Sequence, residues 1–166
     1  MKSRNFAISK NKLYEFFGYL ADNYVIAVAE KYEPSVIKRE LSNKKIYLYD
    51  NGLFSANFML LEDEKGKLLE NLVFAQLYRR SQKVMFYKNS FECDFLVSDE
   101  QGLLPIQVTY KLDEENRERE FGGILKTMDR FKLKRGLIIT RDETATEIIA
   151  DKKISIVSVV KWLLSE

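Results

Sequence analysis

The chain has 166 residues, of which 46% are hydrophobic and 31% charged, and 27 basic side chains nearly balance 25 acidic ones for a net charge of +2. This composition is typical of a folded globular protein and excludes a disordered chain or a strongly basic nucleic-acid binder. The chain has no histidine and a single cysteine, Cys93. Histidine-based catalysis, most zinc sites and a disulfide framework are therefore excluded, and we expect a cytoplasmic protein whose chemistry uses carboxylates, lysine or hydroxyls.

The N-terminal sequence MKSRNFAISKNK lacks the apolar run of a signal peptide. The longest apolar stretches, such as Gly136–Thr140, have the length of a strand and fall far short of the roughly 20 residues of a membrane span. We therefore expect no membrane partner.

The first 50 residues predict a helix followed by two strands. Ser9 is a suitable N-cap, and the apolar residues after it have the spacing of one helical face: Leu13, Phe16, Phe17 and Leu20. The strands are predicted at Tyr24–Ala29 and Lys45–Tyr49, and Pro34–Leu41 forms either a helical turn or a loop. A turn at Asn51 and Gly52 and a short apolar segment, Leu53–Phe58, follow.

The rest of the chain predicts a mixed α/β fold, with a central sheet flanked by helices. Strong helix formers and an apolar stripe predict a helix over Lys67–Arg80. The elements predicted after it are an antiparallel meander of Val84–Lys88, Phe91–Val97 and Leu103–Tyr110, a helix over Glu114–Phe131, strands at Gly136–Thr140 and Ile154–Val157, and a helix over Val159–Leu164.

Polar residues on the meander are the candidates for chemistry. Strict alternation places Cys93, Phe95 and Val97 on one face of their strand, and Glu92 and Asp94 on the other. On the next strand, alternation places Gln107, Thr109 and Lys111 on one face. Glu70 is the polar residue within the apolar run LLENLVF, and it points either to solvent or to the sheet. Carboxylates that converge from a helix and a strand are the oxygen ligands that Mg²⁺ prefers.

Four ordered segments, KIYLYDNGLF, GKLLENLVF, ECDFLV and PIQVTYK, carry a resemblance. The order of elements resembles the restriction-endonuclease-like PD-(D/E)XK nuclease superfamily. More closely, the segments resemble the C-terminal domain of prokaryotic AAA-type ATP-binding proteins. The resemblance implies a nuclease-like domain over 51–166 and part of a winged-helix-like module, a helix plus a β-hairpin, over 1–50. The chain has no G-x-x-x-x-G-K-[ST] phosphate loop, so we expect no ATP hydrolysis by this chain alone.

The resemblance assigns catalytic positions to Glu70, Asp94, Gln107 and Thr109. Glu70 and Asp94 match the family, whereas Gln107 stands where the family has an acid and Thr109 where it has lysine. Glutamine still offers an oxygen ligand, but threonine cannot stabilise developing phosphate charge as an ammonium does. Lys111, about 6.6 Å further along an ideal strand, is the candidate replacement amine. If the site binds a cofactor at all, we expect Mg²⁺ held by Glu70, Asp94 and Glu92.

Several alternatives stay open at this stage. Asp94 and Glu92 are either site residues or the solvent face of a half-buried strand. The basic residues Arg79, Arg80 and Lys83 either contact nucleic-acid phosphates or form a solvated face. The expected function is that of a nuclease fold with a degraded site, which binds nucleic acid or protein in association with an AAA-type ATPase. The alternative is a weakly active Mg²⁺-dependent DNA endonuclease. The expected partners are DNA, the ATPase module or a second copy of the chain.

Overall fold

The computed structural model describes residues 9–57, 64–80, 83–100 and 102–165. Six helices and eight strands lie within these ranges. In chain order they are α1 (Lys10–Asp22), β1 (Ile26–Lys31), α2 (Val36–Leu41), β2 (Lys44–Leu48), α3 (Asn51–Asn57), α4 (Lys65–Arg79), β3 (Met85–Lys88), β4 (Glu92–Asp99), β5 (Gly102–Val108), α5 (Glu114–Phe131), β6 (Arg135–Thr140), β7 (Ala145–Ile149), β8 (Lys152–Ser158) and α6 (Val159–Leu164).

The predicted mixed α/β fold, with helices flanking a central sheet, is confirmed. Every predicted strand is present with its ends shifted by a few residues, and Pro34–Leu41 contains the helical turn α2. The sequence pattern missed α3 and the edge strand β7. The predicted segment Leu53–Phe58 overlaps α3, and Phe58 itself lies outside the described residues.

The described strands form one mixed sheet in the order β2-β1-β3-β4-β5-β6-β8-β7. The meander β3-β4-β5 is antiparallel, as predicted, and β5, β6 and β8 run parallel to one another. The β1–β2 hairpin joins the same sheet through a short parallel pairing between β1 and β3, in which Glu30 lies opposite Met85. The first 50 residues therefore share their sheet with the rest of the chain, and their winged-helix resemblance stays a prediction.

Helices cover the two faces of the sheet. Phe74 of α4 and Trp162 of α6 belong to one buried cluster, together with Phe95 of β4. Ile124 and Met128 of α5 belong to a second cluster with residues of β6 and β8. Because β4 lies in the middle of the sheet, both of its faces are covered, and even Asp94 is only 8% exposed. The reading of Asp94 as part of a solvent face is therefore wrong.

The sequence pattern predicted that side chains alternate strictly along β4, but in the structure they do not. A register shift interrupts its pairing with β3, where Tyr87 lies opposite Cys93 but Met85 lies opposite Leu96. The Phe95 ring packs on Tyr47 and Phe74 on the α4 side, whereas the Cys93 thiol lies beside Thr127 of α5. Cys93 and Phe95 thus face opposite sides, because the extra residue of a bulge reverses the phase of alternation.

Helix α1 packs little of its surface against the described part of the chain. The predicted N-cap Ser9 is present, and its side chain accepts a hydrogen bond from the backbone N–H of Lys12. However, α1 has no buried residue, and Leu13, Phe16 and Leu20 of the predicted apolar face are exposed, whereas Phe17 is half-buried. Among the described helices, none combines the length and the apolar character that crossing a membrane requires.

Candidate functional site

Three carboxylates converge on one ammonium group at the α4 side of the sheet. Lys45 Nζ of β2 lies 3.2 Å from Oε1 of Glu70, 3.1 Å from Oε1 of Glu92 and 3.6 Å from Oδ1 of Asp94. We call Lys45, Glu70, Glu92 and Asp94 the carboxylate–lysine cluster. The structure thus brings together the three residues predicted as metal ligands, and a lysine that the sequence reading had not singled out lies among them.

Strand β2 delivers Lys45 to this position because α4 holds the strand. The side chain of Asn71 accepts a 2.8 Å hydrogen bond from the backbone N–H of Leu48 and donates a 2.9 Å bond to the carbonyl of the same residue. It also donates to Oδ1 of Asn51, 2.7 Å away. A buried amide therefore pairs with the free edge of β2 as a neighbouring strand would, directly beside Glu70.

Tyr47 adds a further donor to the cluster. Its hydroxyl donates a 2.6 Å hydrogen bond to Oε1 of Glu70, and its ring stacks on Phe74 of α4. Burial, followed by the charge of Glu70, raises the pKa of Tyr47, so the hydroxyl keeps its proton and remains a donor. Glu70 thus points at the sheet, and the alternative in which it points to solvent is wrong.

The ammonium of Lys45 stays charged. Burial alone would lower the pKa of Lys45, but the negative charges of Asp94 and Glu70 and the contact with Glu92 outweigh this penalty and raise it. Burial likewise opposes ionisation of Glu92, yet its contacts with Lys88 and Lys45 lower the pKa of that carboxyl group. Lys88 Nζ lies 2.7 Å from Oε2 of Glu92.

Asp94 is the most buried acid of the cluster. Its Oδ2 accepts a 3.0 Å hydrogen bond from the backbone N–H of Val108. Burial, and next the charge of Glu70, raise its pKa to about 7, although Lys45 and the Val108 bond work in the opposite direction. Burial of Asp94 is therefore what most favours its protonated form.

Gln107 connects the cluster to the opposite helix. Its Oε1 accepts from the backbone N–H of Asp94 at 3.4 Å, and its Nε2 donates a 2.8 Å bond to Oε2 of Glu120 on α5. Glu120 is buried and forms an ion pair with Arg119, 2.7 Å away. The amide at the position where the nuclease resemblance implies an acid is therefore engaged in structural hydrogen bonds.

Thr109 and Lys111 lie apart from the cluster. Strand β5 ends at Val108, although the backbone N–H of Thr109 still donates a 3.0 Å hydrogen bond to the carbonyl of Ile139 on β6. The Thr109 hydroxyl donates to the Lys111 carbonyl at 3.1 Å, and Asn116 donates to that same carbonyl at 2.7 Å. The Lys111 side chain is exposed and makes no ion pair with the residues that the structure describes. The suggestion that Lys111 replaces the missing amine stays a prediction, since none of the ion pairs among the described residues joins Lys111 to the cluster.

The basic residues predicted to bind nucleic acid lie at the C-terminal end of α4, away from Glu70. The Arg80 guanidinium lies 5.1 Å from the centre of the Trp162 ring and donates to the Ser165 carbonyl at 3.2 Å. Arg79 and Lys83 are exposed. Arg80 thus anchors α6, and only two of the three side chains are free to meet a phosphate.

A cavity of about 750 Å³ opens beside Asp94, between β4, β5 and α5. It is lined by six acids and only two bases: Glu70, Glu92, Asp94, Glu115, Glu118 and Glu120 against Arg119 and Lys126. Within the described ranges no three acidic or cysteine side chains are arranged to hold a metal ion. Glu70, Glu92 and Asp94 do not fit Mg²⁺ as arranged, because the Lys45 ammonium lies at the point where they converge.

Comparison with known proteins places the chain in a family. Residues 65–162 match the family described as domain of unknown function (DUF4143). The chain belongs to the DUF4143 family. The matched residues include Glu70, Asp94 and Gln107, whereas Lys45 and Tyr47 lie before them.

Two similar proteins extend beyond this DUF4143 domain. The chain is 34% identical over 177 aligned residues to the uncharacterized protein MJ1544 of Methanocaldococcus jannaschii, covering 99% of the chain and 39% of that protein. It is 27% identical over 165 residues to an uncharacterized protein of Haemophilus influenzae, covering 99% of the chain and 40% of that protein. The chain thus spans about two-fifths of the length of these relatives.

Sequence reasoning missed Lys45, Tyr47, Asn71 and Glu120. Lys45 and Tyr47 lie two residues apart in the segment KIYLYD, so they share one strand face. Asn71 lies next to Glu70 in the segment GKLLENLVF, where the two polar residues interrupt an apolar helix. Those polar interruptions were the available signal. Glu120 gave no signal, because it lies within the charged run DEENRERE of an amphipathic helix.

Proposed function

We propose that this chain is a protein-interaction module of a larger AAA-type ATP-binding protein, built on a restriction-endonuclease-like fold that no longer cleaves nucleic acid. The observation that carries the proposal is the uncovered apolar face of α1. Leu13 and Phe16 are each 44% exposed and Leu20 is 39% exposed, although their spacing is that of a helix face made for burial. Helix α2, the next helix along the chain, also exposes Val36 and Ile37.

The occupant of this face that the observations favour is the ATP-binding part of the same assembly. More than half of each relative lies outside its match to this chain, since the chain covers 39% and 40% of them. The motif resemblance connects such domains with AAA-type ATPases. A second copy of this chain is the alternative occupant.

Charge distribution supports a protein partner over DNA. The cavity beside Asp94 is strongly acidic, which repels a phosphate backbone, and Arg80 is engaged with Trp162 and Ser165. The net charge of +2 adds little attraction for a polyanion. Binding of duplex DNA that weakens steeply with salt would favour the nucleic-acid version of the proposal instead.

We infer the loss of cleavage from Gln107 and Thr109, which stand where the nuclease resemblance implies an acid and a lysine. The side-chain amide of Gln107 is hydrogen-bonded to the backbone of Asp94 and to the carboxylate of Glu120. Thr109 offers no positive charge to a developing phosphate anion. Lys111 lies outside the cluster. We therefore expect no DNA cleavage with Mg²⁺ or Mn²⁺ when plasmid is incubated with the purified chain.

A second candidate function is a weak Mg²⁺-dependent DNA endonuclease. It is favoured by one observation, the convergence of Glu70, Asp94 and Glu92 on an amine. Metal-dependent nicking of plasmid that Asp94→Ala abolishes would establish this function and contradict the non-cleaving proposal. Nicking that survives Asp94→Ala would indicate a contaminating nuclease.

Hydrogen–deuterium exchange tests the docking proposal. In this chain the amides of α1 should exchange rapidly, whereas those of the matching helix in full-length MJ1544 should be protected by the rest of that protein. Helix α4 is the internal control, since it packs on the sheet and should be protected in both proteins. Equal exchange of the α1 helix in the two proteins would contradict the proposal.

Sedimentation of two α1 variants tests whether any self-association of the chain depends on the apolar face of α1 or on its surface in general. If the face associates with a second copy, the wild-type chain should dimerise, and Leu13→Ser with Phe16→Ser should make it monomeric. Lys12→Ser, on the polar side of α1, is the matched control and should not change the mass. A monomeric wild type together with protected α1 in the full-length relative supports docking on the ATP-binding part.

A further inference from the structure

We infer that the Lys45 ammonium is a built-in cation at the position where the nuclease resemblance implies a divalent metal, so that the wild-type domain does not bind Mg²⁺ or Mn²⁺ there. Removing this ammonium should turn the cluster into a metal site. The inference concerns the carboxylate–lysine cluster alone and does not depend on what covers α1.

The first support is geometric. Lys45 Nζ lies within 3.1 to 3.6 Å of oxygens from Glu70, Glu92 and Asp94, which come from a helix and from a separate strand. A magnesium ion needs oxygens at about 2.0–2.1 Å around a single point. These carboxylates instead surround the ammonium at hydrogen-bond and ion-pair distances, and the described residues contain no three acids in a metal-binding arrangement.

The second support is that Lys45 is held in place. Its side chain is 25% exposed, and its ammonium also lies 5.6 Å from the centre of the Phe86 ring. Its strand is fixed by the three hydrogen bonds of Asn71 to Leu48 and Asn51. A lysine on a free loop could swing away from an entering ion, but moving Lys45 would leave three partly buried carboxylates without their shared partner.

The third support is charge. A divalent ion among the same oxygens would lie a few ångströms from the ammonium, and this repulsion opposes binding in a partly buried site. The origin of the lysine also matters. The resemblance places a catalytic lysine at Thr109, after β5, whereas Lys45 comes from β2 at the opposite side of the cluster. A lysine that assists a metal ion should tolerate the ion beside it, and one that replaces the ion should exclude it.

Titration with Mn²⁺, monitored by electron paramagnetic resonance of the free ion, distinguishes a lysine that replaces the metal ion from one that assists it. The wild-type chain should leave the free-ion signal unchanged up to millimolar Mn²⁺. Lys45→Met, which keeps an unbranched side chain one atom shorter and removes its charge, should bind Mn²⁺ at least about tenfold more tightly than the wild type, since the lost repulsion exceeds the energy of a tenfold change.

Matched variants locate the ion and control for surface charge. Lys44→Met removes a neighbouring lysine that pairs with Glu30 instead, at 3.5 Å, and should bind no Mn²⁺. The double variant Lys45→Met with Asp94→Asn should lose the binding that Lys45→Met creates. If Lys45→Met is only marginally stable without metal, the midpoint temperature of its thermal unfolding should rise with added Mn²⁺, whereas that of the wild type should not.

The inference would be overturned if the wild-type chain bound Mn²⁺ saturably and Asp94→Asn removed that binding. This comparison needs no Lys45 variant. A Lys45→Met chain that folds and gains no affinity for Mn²⁺ would overturn it as well. Plasmid cleavage by the wild type would contradict the proposed function separately, so the two failures are distinguishable.

Discussion

The hydroxyl of Tyr47 donates a 2.6 Å hydrogen bond to Oε1 of Glu70, the same carboxylate oxygen that lies 3.2 Å from Lys45 Nζ. Two residues apart on β2, Tyr47 and Lys45 share one strand face and thereby reach one acceptor. Glu70 is thus held by a neutral donor and a charged one, and its carboxylate is fixed toward the sheet.

Removal of the Tyr47 hydroxyl should destabilise the fold. A hydrogen bond to a charged group contributes about 1.5–3 kcal/mol, and we expect Tyr47→Phe to lower the free energy of unfolding by that amount. The measurement is denaturant unfolding at neutral pH. Tyr14→Phe, at an exposed position on α1, is the control and should leave stability unchanged. Equal stability of Tyr47→Phe and the wild type would mean that the bond contributes nothing.

Asn71 should matter as much as Glu70 for the position of β2. Asn71→Ala leaves the backbone N–H and carbonyl of Leu48 without their partner, and we expect a loss of about 2–3 kcal/mol in the free energy of unfolding. Gln76→Ala is the control on the same helix, because Gln76 is half-buried and makes no side-chain hydrogen bond with the described residues, whereas Asn71 is buried. Similar losses for both variants would refute a specific role for Asn71.

Gly123 sets the distance between α5 and β4. A Cβ at this position would lie 2.6 Å from the carbonyl oxygen of Glu92, whereas a Cβ at Gly122 would meet no atom within 4 Å. Gly123→Ala should therefore lower the free energy of unfolding by about 1–3 kcal/mol. Gly122→Ala should raise it by up to about 1 kcal/mol, because alanine favours a helix interior. The two variants differ by one position, and thermal unfolding that moves in the same direction for both would contradict this geometry.

Protonation of Asp94 should make stability depend on pH. Its pKa is raised to about 7 in the folded chain, chiefly by burial and then by Glu70 on α4, against Lys45 on β2 and with a smaller contribution from Glu120 on α5. In the unfolded chain an aspartate has a pKa of about 3.9. The folded state therefore binds the extra proton between these values, and the contribution of Asp94 is fully present below about pH 4 and lost as pH rises through about 7.

Denaturant unfolding of the wild type and Asp94→Asn across pH 4 to 8 isolates this contribution. Asparagine cannot titrate, so the difference in unfolding free energy between the two proteins should shift in favour of the variant as pH rises through this range. A difference that stays constant, or that shifts in favour of the wild type, would show that Asp94 is ionised throughout.

Much of the fold could be read from the sequence, because long elements carry strong patterns. The helix over Glu114–Phe131 and its N-cap Asp113 were predicted at their observed positions, since the cap and the apolar spacing agree. The strand β7 was missed because it is a short edge strand with polar residues, and such strands lack a clear alternation.

The candidate site was only partly predictable. Glu70 stood out because it interrupts an apolar run, and Asp94 because of its strand face and the motif resemblance, and the structure brings both to one ammonium. Lys45 could not be assigned to them, because its strand reaches the site only through the pairing of β1 with β3, which joins residues more than 50 positions apart, such as Glu30 and Met85. Gln107 and Thr109 both reach α5, as the alternation predicted, but alternation could not show whether Lys111, beyond the end of β5 at Val108, continues on that face.

We expect an internal ammonium, and no metal ion, to hold Glu70, Glu92 and Asp94 together. The most direct measurement is a crystal structure of the wild-type chain grown with millimolar Mn²⁺, with anomalous scattering recorded at the manganese edge. We predict no anomalous peak among the three carboxylates and Lys45 Nζ within hydrogen-bond reach of Glu70. A manganese peak bound by Glu70 and Asp94, with Lys45 displaced, would contradict the account.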